Sequence, residues 1–281
     1  MKVDLLLYTD MRRDIFVFDI ETVVDCDAVR NLLGCKDAND TEARNALTAY
    51  CMEKSGGKND FPRQPFHQVV AISYAQLIRE PGEQGCEIIL RRVASGGDVN
   101  SDERSLLEGF FGLIEKRAPQ LVSYNGRGFD IPVLKYRAMK HGIPCSRWFS
   151  EGDKWSNYDA RYANRYHVDL LEIFSGYGAA ARCSLNELAA VMAIPGKLET
   201  TGGDVRTLFE AGDIESIRNY CETDVLTTTL LYLRWQYFNG SLGRDAFARA
   251  LAGIHHYLES ESGQHLHAYL EAWDALSPGS S

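Results

Sequence analysis

Apolar and polar positions alternate most regularly in IFVFDIETVV, residues 15 to 24. As a strand, this run sends Ile15, Val17, Asp19 and Glu21 to one face and Phe16, Phe18 and Ile20 to the other. The pattern predicts a strand over Asp14–Thr22. Two carboxylates on one face of so apolar a run need a reason. Their Cα atoms would stand roughly 6 to 7 Å apart, at a rise of about 3.3 Å per residue, within reach of one ion. Without a cation, like charges that close and partly desolvated push one pKa upward, which favours a shared proton or a bound metal. Oxygen ligands of this kind suit a hard divalent cation such as Mg²⁺. The competing reading is a strand that stops near Ile20 and leaves Glu21 in water.

Strand and helix patterns alternate along the rest of the chain, which marks an α/β fold. Residues 25 to 60 form a polar excursion with a helix in DANDTEARNALTAYCMEK and a loop at SGGKND. QVVAISYAQLI and CEIILRRVA, separated by REPGEQG, read as a hairpin. Asp102 opens an amphipathic helix through Arg117 that Pro119 stops, and LVSY is a short strand. A helix follows from Asp130 to Lys140, ended by Gly142. After a Tyr- and Trp-rich loop, YHVDLLEIF passes from strand into helix, and SLNELAAVM is a helix with a Ser184–Glu187 capping box. The loop IPGKLETTGGD leads to a long helix from Ile214 to Phe238. These elements predict one domain over residues 1–240 and a packed helical extension over 241–281 that ends in a disordered SPGSS tail.

Two further acids stand out. In LVSYNGRGFDIPVL, Asp130 opens a helix whose first turn tolerates Pro132, so helix capping is one reading of it. Capping leaves the preceding NGRGF unexplained. There Gly126 and Gly128 allow close approach of backbone to a ligand, Asn125 offers an amide, and Phe129 offers a ring or a core side chain. On the long helix, a wheel at about 100° per residue gathers Ile217, Cys221, Thr228, Leu231 and Trp235 into one stripe. Asp224 falls in its middle, Tyr220 stands one turn before it, and Glu215 and Glu222 fall on the far, solvent-facing side. A buried, ionised carboxylate is costly unless it is paired or bound to a metal.

Composition narrows the function. The 281 residues are 45% hydrophobic and 25% charged, and the formal net charge is -9. That charge argues against coating nucleic acid by bulk electrostatics, though not against holding a chain end. No apolar run approaches the roughly 18 residues of a membrane helix, and the start of the chain does not read as a signal peptide. A cytoplasmic, non-membrane protein is expected. Seven cysteines without a C-x-x-C pair fit reduced thiols rather than disulfides or structural zinc. The most basic stretch holds Lys135, Arg137, Lys140, Arg147, Lys154, Arg161 and Arg165, interleaved with Tyr136, Trp148, Trp155, Tyr158 and Tyr162. It would either grip phosphates and stack bases or form solvated surface over packed aromatics.

FDIET at 18 to 22, NGRGFD at 125 to 130 and YCETD at 220 to 224 together resemble the three motifs of the DEDD superfamily of 3′-to-5′ exonucleases. The third motif has the tyrosine-subgroup form, since position 219 is Asn219, not histidine. FPRQPFHQVVAIS, YHVDLLEIFSGYGA, SLNELA and the Pro-Gly-Lys at 195 to 197 add a closer similarity. They resemble a bacterial family of predicted exonucleases related to the proofreading domain of family-B DNA polymerases. The resemblance runs from Ile15 to Arg234 and leaves out the last forty or so residues.

It implies a ribonuclease-H-like fold, a mixed β-sheet flanked by helices with FDIET on the central strand. It further implies that Asp19, Glu21, Asp130 and Asp224 bind two Mg²⁺ or Mn²⁺ ions about 4 Å apart, with Asp19 bridging them and Tyr220 orienting the attacking water. Asn125, Phe129, Ile20 and Thr22 would lie against the terminal nucleotides. His167 and Asp169 would either face the same site or serve as structural hydrogen-bonding groups. Lys197 would meet a phosphate or be a loop charge. The implied substrate is the 3′ end of single-stranded DNA. Trimming of RNA ends and non-cleaving capture of a nucleic-acid end are the competing functions.

Overall fold

The computed structural model describes residues 14–82, 85–196 and 204–276. Lys197, the tip of the REPGEQG turn and the SPGSS tail lie outside the described residues. Strand β1 (Asp14–Val24) occupies the middle of a five-stranded sheet of order β3-β2-β1-β4-β5. Here β2 is His67–Gly82, β3 Gly85–Ser95, β4 Gln120–Ser123 and β5 His167–Asp169. β2 and β3 run antiparallel in hairpin succession, whereas β4 is parallel to β1 and β5 to β4. The sheet is therefore mixed. Its parallel half directs the carboxyl ends of β1, β4 and β5 to the same edge, where open α/β sheets place their ligands.

The alternation in β1 decides the two layers that cover the sheet. Ile15 and Val17 join a core with Val225, Leu226 and Leu230 of the long helix α9 (Ile214–Phe238). Phe16, Phe18 and Ile20 join a second core on the opposite face. That core is shared with Leu106, Phe110 and Ile114 of α3 (Glu103–Arg117) and Val133 and Leu134 of α4 (Asp130–His141). β1 runs two residues beyond the predicted end. It does so through a β-bulge: Glu21 faces Ala71 but Thr22 faces Val69, so Val70 is skipped. Such a bulge re-aims side chains where a strand meets a site.

The excursion after β1 contains two helices rather than one, α1 (Cys26–Leu33) and α2 (Asp40–Lys54). α1 is eight residues long, too short for periodicity to reveal, and its ends carry the signal instead: Asp25 accepts from the Ala28 N–H and Gly34 closes it at φ 69°. α4 corrects the capping reading of Asp130. Phe129 occupies the cap position without a side-chain cap, and Asp130 is the first helical residue.

α4 is fixed by a buried ion network. Arg137 grips Glu103 through Nε at 2.7 Å and Nη2 at 2.5 Å, and meets Asp25 at 2.5 Å through Nη1. The Val69 N–H also donates to Glu103, at 2.7 Å. The network ties β2, α3, α4 and the head of α1 together. It also removes Arg137 from the predicted phosphate-gripping stretch, along with Trp148 and Tyr158, which are core residues stacked at 4.8 Å.

α9 corrects a second expectation. From Tyr220 to Leu233 nearly every side is buried, so the solvent-facing side assigned to Glu222 does not exist there. Glu222 accepts from Ser95 Oγ at 2.7 Å and lies 2.8 Å from His265 Nε2 on α11 (Gln264–Leu276). Glu215 is exposed. α10 (Arg244–Ser260) and α11 place Ile254, Leu258, Leu266, Tyr269 and Trp273 in the same core as Ile15 and Val17. No helix among the described residues is long and apolar enough to cross a membrane.

Candidate active site

The carboxyl end of β1 brings together acids from distant parts of the chain. Asp19 and Glu21 leave the α9 face of β1 half-buried. The oxygen of each lies within 4.8 Å of the other and of Cys221 Sγ on α9. Asp224 follows on the same helix, 7% exposed, and its carboxylate receives a hydrogen bond from the Tyr220 hydroxyl. Burial, then Asp224, Glu21 and Asp19, push the Tyr220 phenol above its ordinary range, so it remains a neutral donor. Asp130 arrives from the other layer. Burial comes first and the charges of Asp19 and Asp169 second in holding its carboxyl well above the usual carboxylate range. Asp19 is the shared member: its charge acts on Asp130 and, together with Asp224 and Glu21, on Tyr220.

The glycine loop after β4 is built to deliver Asp130. Asn125 adopts φ 68°, and its carbonyl accepts from the N–H groups of Gly128 and Phe129 at 3.0 Å. A Cβ on Gly126 would fall 2.2 Å from Ser123 Oγ and 3.2 Å from Asp130 Oδ2, and one on Gly128 would fall 2.6 Å from Asn125 Oδ1. Gly126 is required by close approach, which here is to the protein's own polar groups. Asp169 holds the loop from the other side. Its carboxylate accepts from the N–H groups of Asn125 at 3.0 Å and Arg127 at 2.8 Å. It also caps α6 (Leu170–Phe174) through Leu171 and Glu172. His167 Nε2 lies 2.7 Å from Ser123 Oγ, and burial pushes its ring well below the usual histidine range. His167 thus engages the end of β4 and Asp169 the loop by hydrogen bonding, and the Asp169 charge also acts on Asp130.

The other singled-out residues separate. Ile20 is 5% exposed in the α3 core, so its side chain points away from Asp19 and Glu21. The Thr22 hydroxyl is 2.9 Å from His67 Nδ1. Phe129 is half-buried and meets the ring of His67 edge-on at 4.8 Å. In the basic stretch, Lys135 pairs with Asp159, Lys140 with Asp25, Arg147 with Glu151 and Arg161 with Glu172. Trp155 and Tyr162 remain exposed beside Lys154 and Arg161.

Cys221 is the member of the cluster that the sequence reading left without a role. It sits on the Asp224 stripe, three residues earlier, and that shared stripe was the available signal. Burial and the charges of Asp19 and Glu21 push its thiol well above the usual range, and its Sγ donates to Asp19 Oδ2 at 3.9 Å. The group is therefore a neutral thiol beside carboxylates, a donor set that fits a hard cation through its oxygens and not a thiolate metal. A cation among Asp19, Glu21 and Asp130 would also reverse the repulsion that raises Asp130.

Residues 59–273 match a protein family described as a predicted 3′-5′ exonuclease related to the exonuclease domain of PolB. The chain belongs to this family. The match begins after Asp19 and Glu21, takes in Asp130, Tyr220 and Asp224, and continues through α10 into α11. It thus reaches further toward the C-terminus than the motif resemblance did. The DNA polymerase epsilon catalytic subunit of Dictyostelium discoideum is 28% identical over 216 residues, covering 67% of this chain and 8% of that protein. An exonuclease family accounts for the paired carboxylates Asp19 and Glu21 at the end of β1 of an acidic protein.

Proposed function

We propose that this domain is a metal-dependent 3′-5′ exonuclease of the tyrosine-bearing DEDD subgroup on a ribonuclease-H-like fold. Its substrate is the 3′ end of single-stranded nucleic acid, DNA in preference to RNA, and its products are nucleoside 5′-monophosphates. What supports this reading is Asp19, whose charge acts on the buried Asp130 and also on the neutral Tyr220 hydroxyl, which Asp224 and Glu21 act on as well. These four acids would hold two Mg²⁺ or Mn²⁺ ions, which when bound clamp the attacking and leaving oxygens of an in-line phosphoryl displacement.

The chain's own part is positioning. The Tyr220 hydroxyl, oriented by Asp224, hydrogen-bonds the water that attacks phosphorus, and the P–O3′ bond breaks as the new P–O bond forms. Asn125 and Phe129 lie against the terminal nucleotides, and the loop held by Asp169 keeps them in register with Asp130. The neutral Cys221 thiol steadies Asp19.

The test is digestion of 5′-labelled single-stranded DNA and RNA with Mg²⁺, with Mn²⁺ and with chelator. Stepwise shortening from the 3′ end, dependent on metal and faster on DNA, is expected. Faster RNA digestion would reassign the substrate, and binding without any metal-dependent product would replace the enzyme with an end-binding protein. Tyr220→Phe is expected to lower kcat by roughly 10- to 10²-fold through lost orientation, with Mg²⁺ binding by calorimetry unchanged.

A further inference from the structure

Phe129 belongs to an aromatic group whose exposed member, Phe61, has no role in the reading above. Phe61 is 56% exposed, although its ring centroid stands 5.2 Å from that of His67 and 5.9 Å from that of Phe129. His67 closes the trio by meeting Phe129 edge-on. An exposed phenyl ring held by two others gives up apolar burial on its open face, and that face is available to a partner.

The trio is fastened to the site from two directions. His67 is 5% exposed, with Nε2 3.1 Å from the Pro62 carbonyl and Nδ1 2.9 Å from Thr22 Oγ1. A carbonyl only accepts, so Nε2 carries the proton and Nδ1 accepts from the Thr22 hydroxyl. The ring thereby pins the segment carrying Phe61 to β1, one residue beyond Glu21. Gln64 Nε2 donates to the Gly128 carbonyl at 3.0 Å and pins the same segment to the loop two residues before Asp130. Thr22 follows one pair of acids and Phe129 precedes the third, so the ring group is tied to the chain next to Glu21 and next to Asp130.

We propose that Phe61 adds a second stacking face beside Phe129 for the terminal base of the strand, with His67 as the positioning residue that holds the rings. The assignment of the occupant rests on the nuclease reading above. Stacking suits that occupant because every base presents a π-face, which grips a strand end without regard to sequence. Other apolar occupants are disfavoured by position: the ring group is fastened next to Glu21 and before Asp130, where a base still attached to its phosphate can reach both rings and acids.

The experiment uses the full chain and a single-stranded oligonucleotide carrying 2-aminopurine at its 3′ end, in Ca²⁺ and separately in chelator, with fluorescence read on titration. Wild type is expected to quench the terminal fluorophore. Phe61→Ala is expected to lose the quenching and weaken binding by roughly 5- to 10²-fold, with an unchanged melting temperature because the residue is exposed. Phe61→Trp should restore both, and Phe61→Leu, apolar but without a π-face, should not. An oligonucleotide lacking its 3′ base should bind wild type as weakly as Phe61→Ala. Full rescue by leucine, unaltered quenching in the alanine variant, or no quenching by wild type in either condition would overturn the subsite. The two readings fail separately: quenching without cleavage in Mg²⁺ would defeat the nuclease, and cleavage with Phe61→Ala binding unchanged would defeat only the subsite.

Discussion

Asp25 and Asp130 are the same residue type, each 4% exposed and each at the start of a helix, yet the protein treats them in opposite ways. Burial alone would raise both carboxyls. For Asp25 that effect is overcome by Lys140, the Ala28 N–H and Arg137, which bring it down to about 2. For Asp130 burial is reinforced by Asp19 and Asp169, and the carboxyl stands well above its usual range. Burial therefore does not decide what an acid does. Its neighbours do, and they divide the molecule into a region whose charges are neutralised by the fold and a region whose charges call for something from outside. The first contributes stability, and the second costs stability for the sake of a site.

Replacing one acid of the uncompensated region gives the largest expected effect. Asp224→Ala should lower kcat by roughly 10² to 10⁴, the loss of a metal ligand, while the melting temperature in chelator stays level or rises. Steady-state digestion and a thermal melt on the same preparation check both halves. Unchanged rates would remove Asp224 from the reaction, and a strongly lowered melting temperature would make it a structural acid like Asp25.

The converse change is Arg137→Met. It leaves Asp25 and Glu103 buried with one cation fewer, which should cost about 3 to 5 kcal/mol in urea unfolding. The rate per folded molecule should fall by less than about tenfold. A stability loss within error would mean that the network carries no net weight, and the contrast between the two regions would collapse.

Much of this division was legible in the sequence and some was not. Alternation in IFVFDIETVV assigned Ile15 and Val17 to one core and Phe16 and Phe18 to the other, because a strand's period of two maps directly onto the faces of a sheet. The wheel placed Asp224 among buried positions, but it presumed one buried side. α9 is covered by the sheet and by α11, so Glu222 is enclosed as well. The compensated network was invisible for another reason. Asp25, Glu103 and Arg137 are far apart in the chain, and nothing local to any of them signals its partners. The same holds for Phe61, which becomes notable only once the fold brings His67 and Phe129 beside it.

Acid should weaken the protein through the compensated region. The folded-state value for Asp25 lies below its ordinary value, so its contribution is fully present above about pH 4 and is lost as pH falls through about 2, an effect of roughly 2 kcal/mol. Melting temperatures of wild type and Asp25→Asn, compared at neutral pH and at about pH 3, should converge as pH falls. A constant gap would separate the stabilising role of Asp25 from its charge.

The smallest expected effect tests whether the C-terminal helices belong to the fold or to the site. Tyr269 of α11 is fully buried, and its hydroxyl lies 3.1 Å from Thr227 Oγ1, one turn beyond Asp224 on α9. Thr227 also contacts the carbonyls of Pro195 at 2.9 Å and Thr223 at 3.1 Å. Carbonyls only accept, so the single Thr227 proton goes to one of them and Tyr269 is the donor to Thr227. Tyr269→Phe removes that donation and nothing else of comparable size, which should cost about 1 kcal/mol in urea unfolding. If α11 is only a brace, kcat per folded molecule stays at the wild-type value. A fall in kcat without the loss of stability would mean instead that the Tyr269 hydroxyl sets the register of α9 at Asp224, and the helices after Phe238 would then belong to the uncompensated region, not to the scaffold around it.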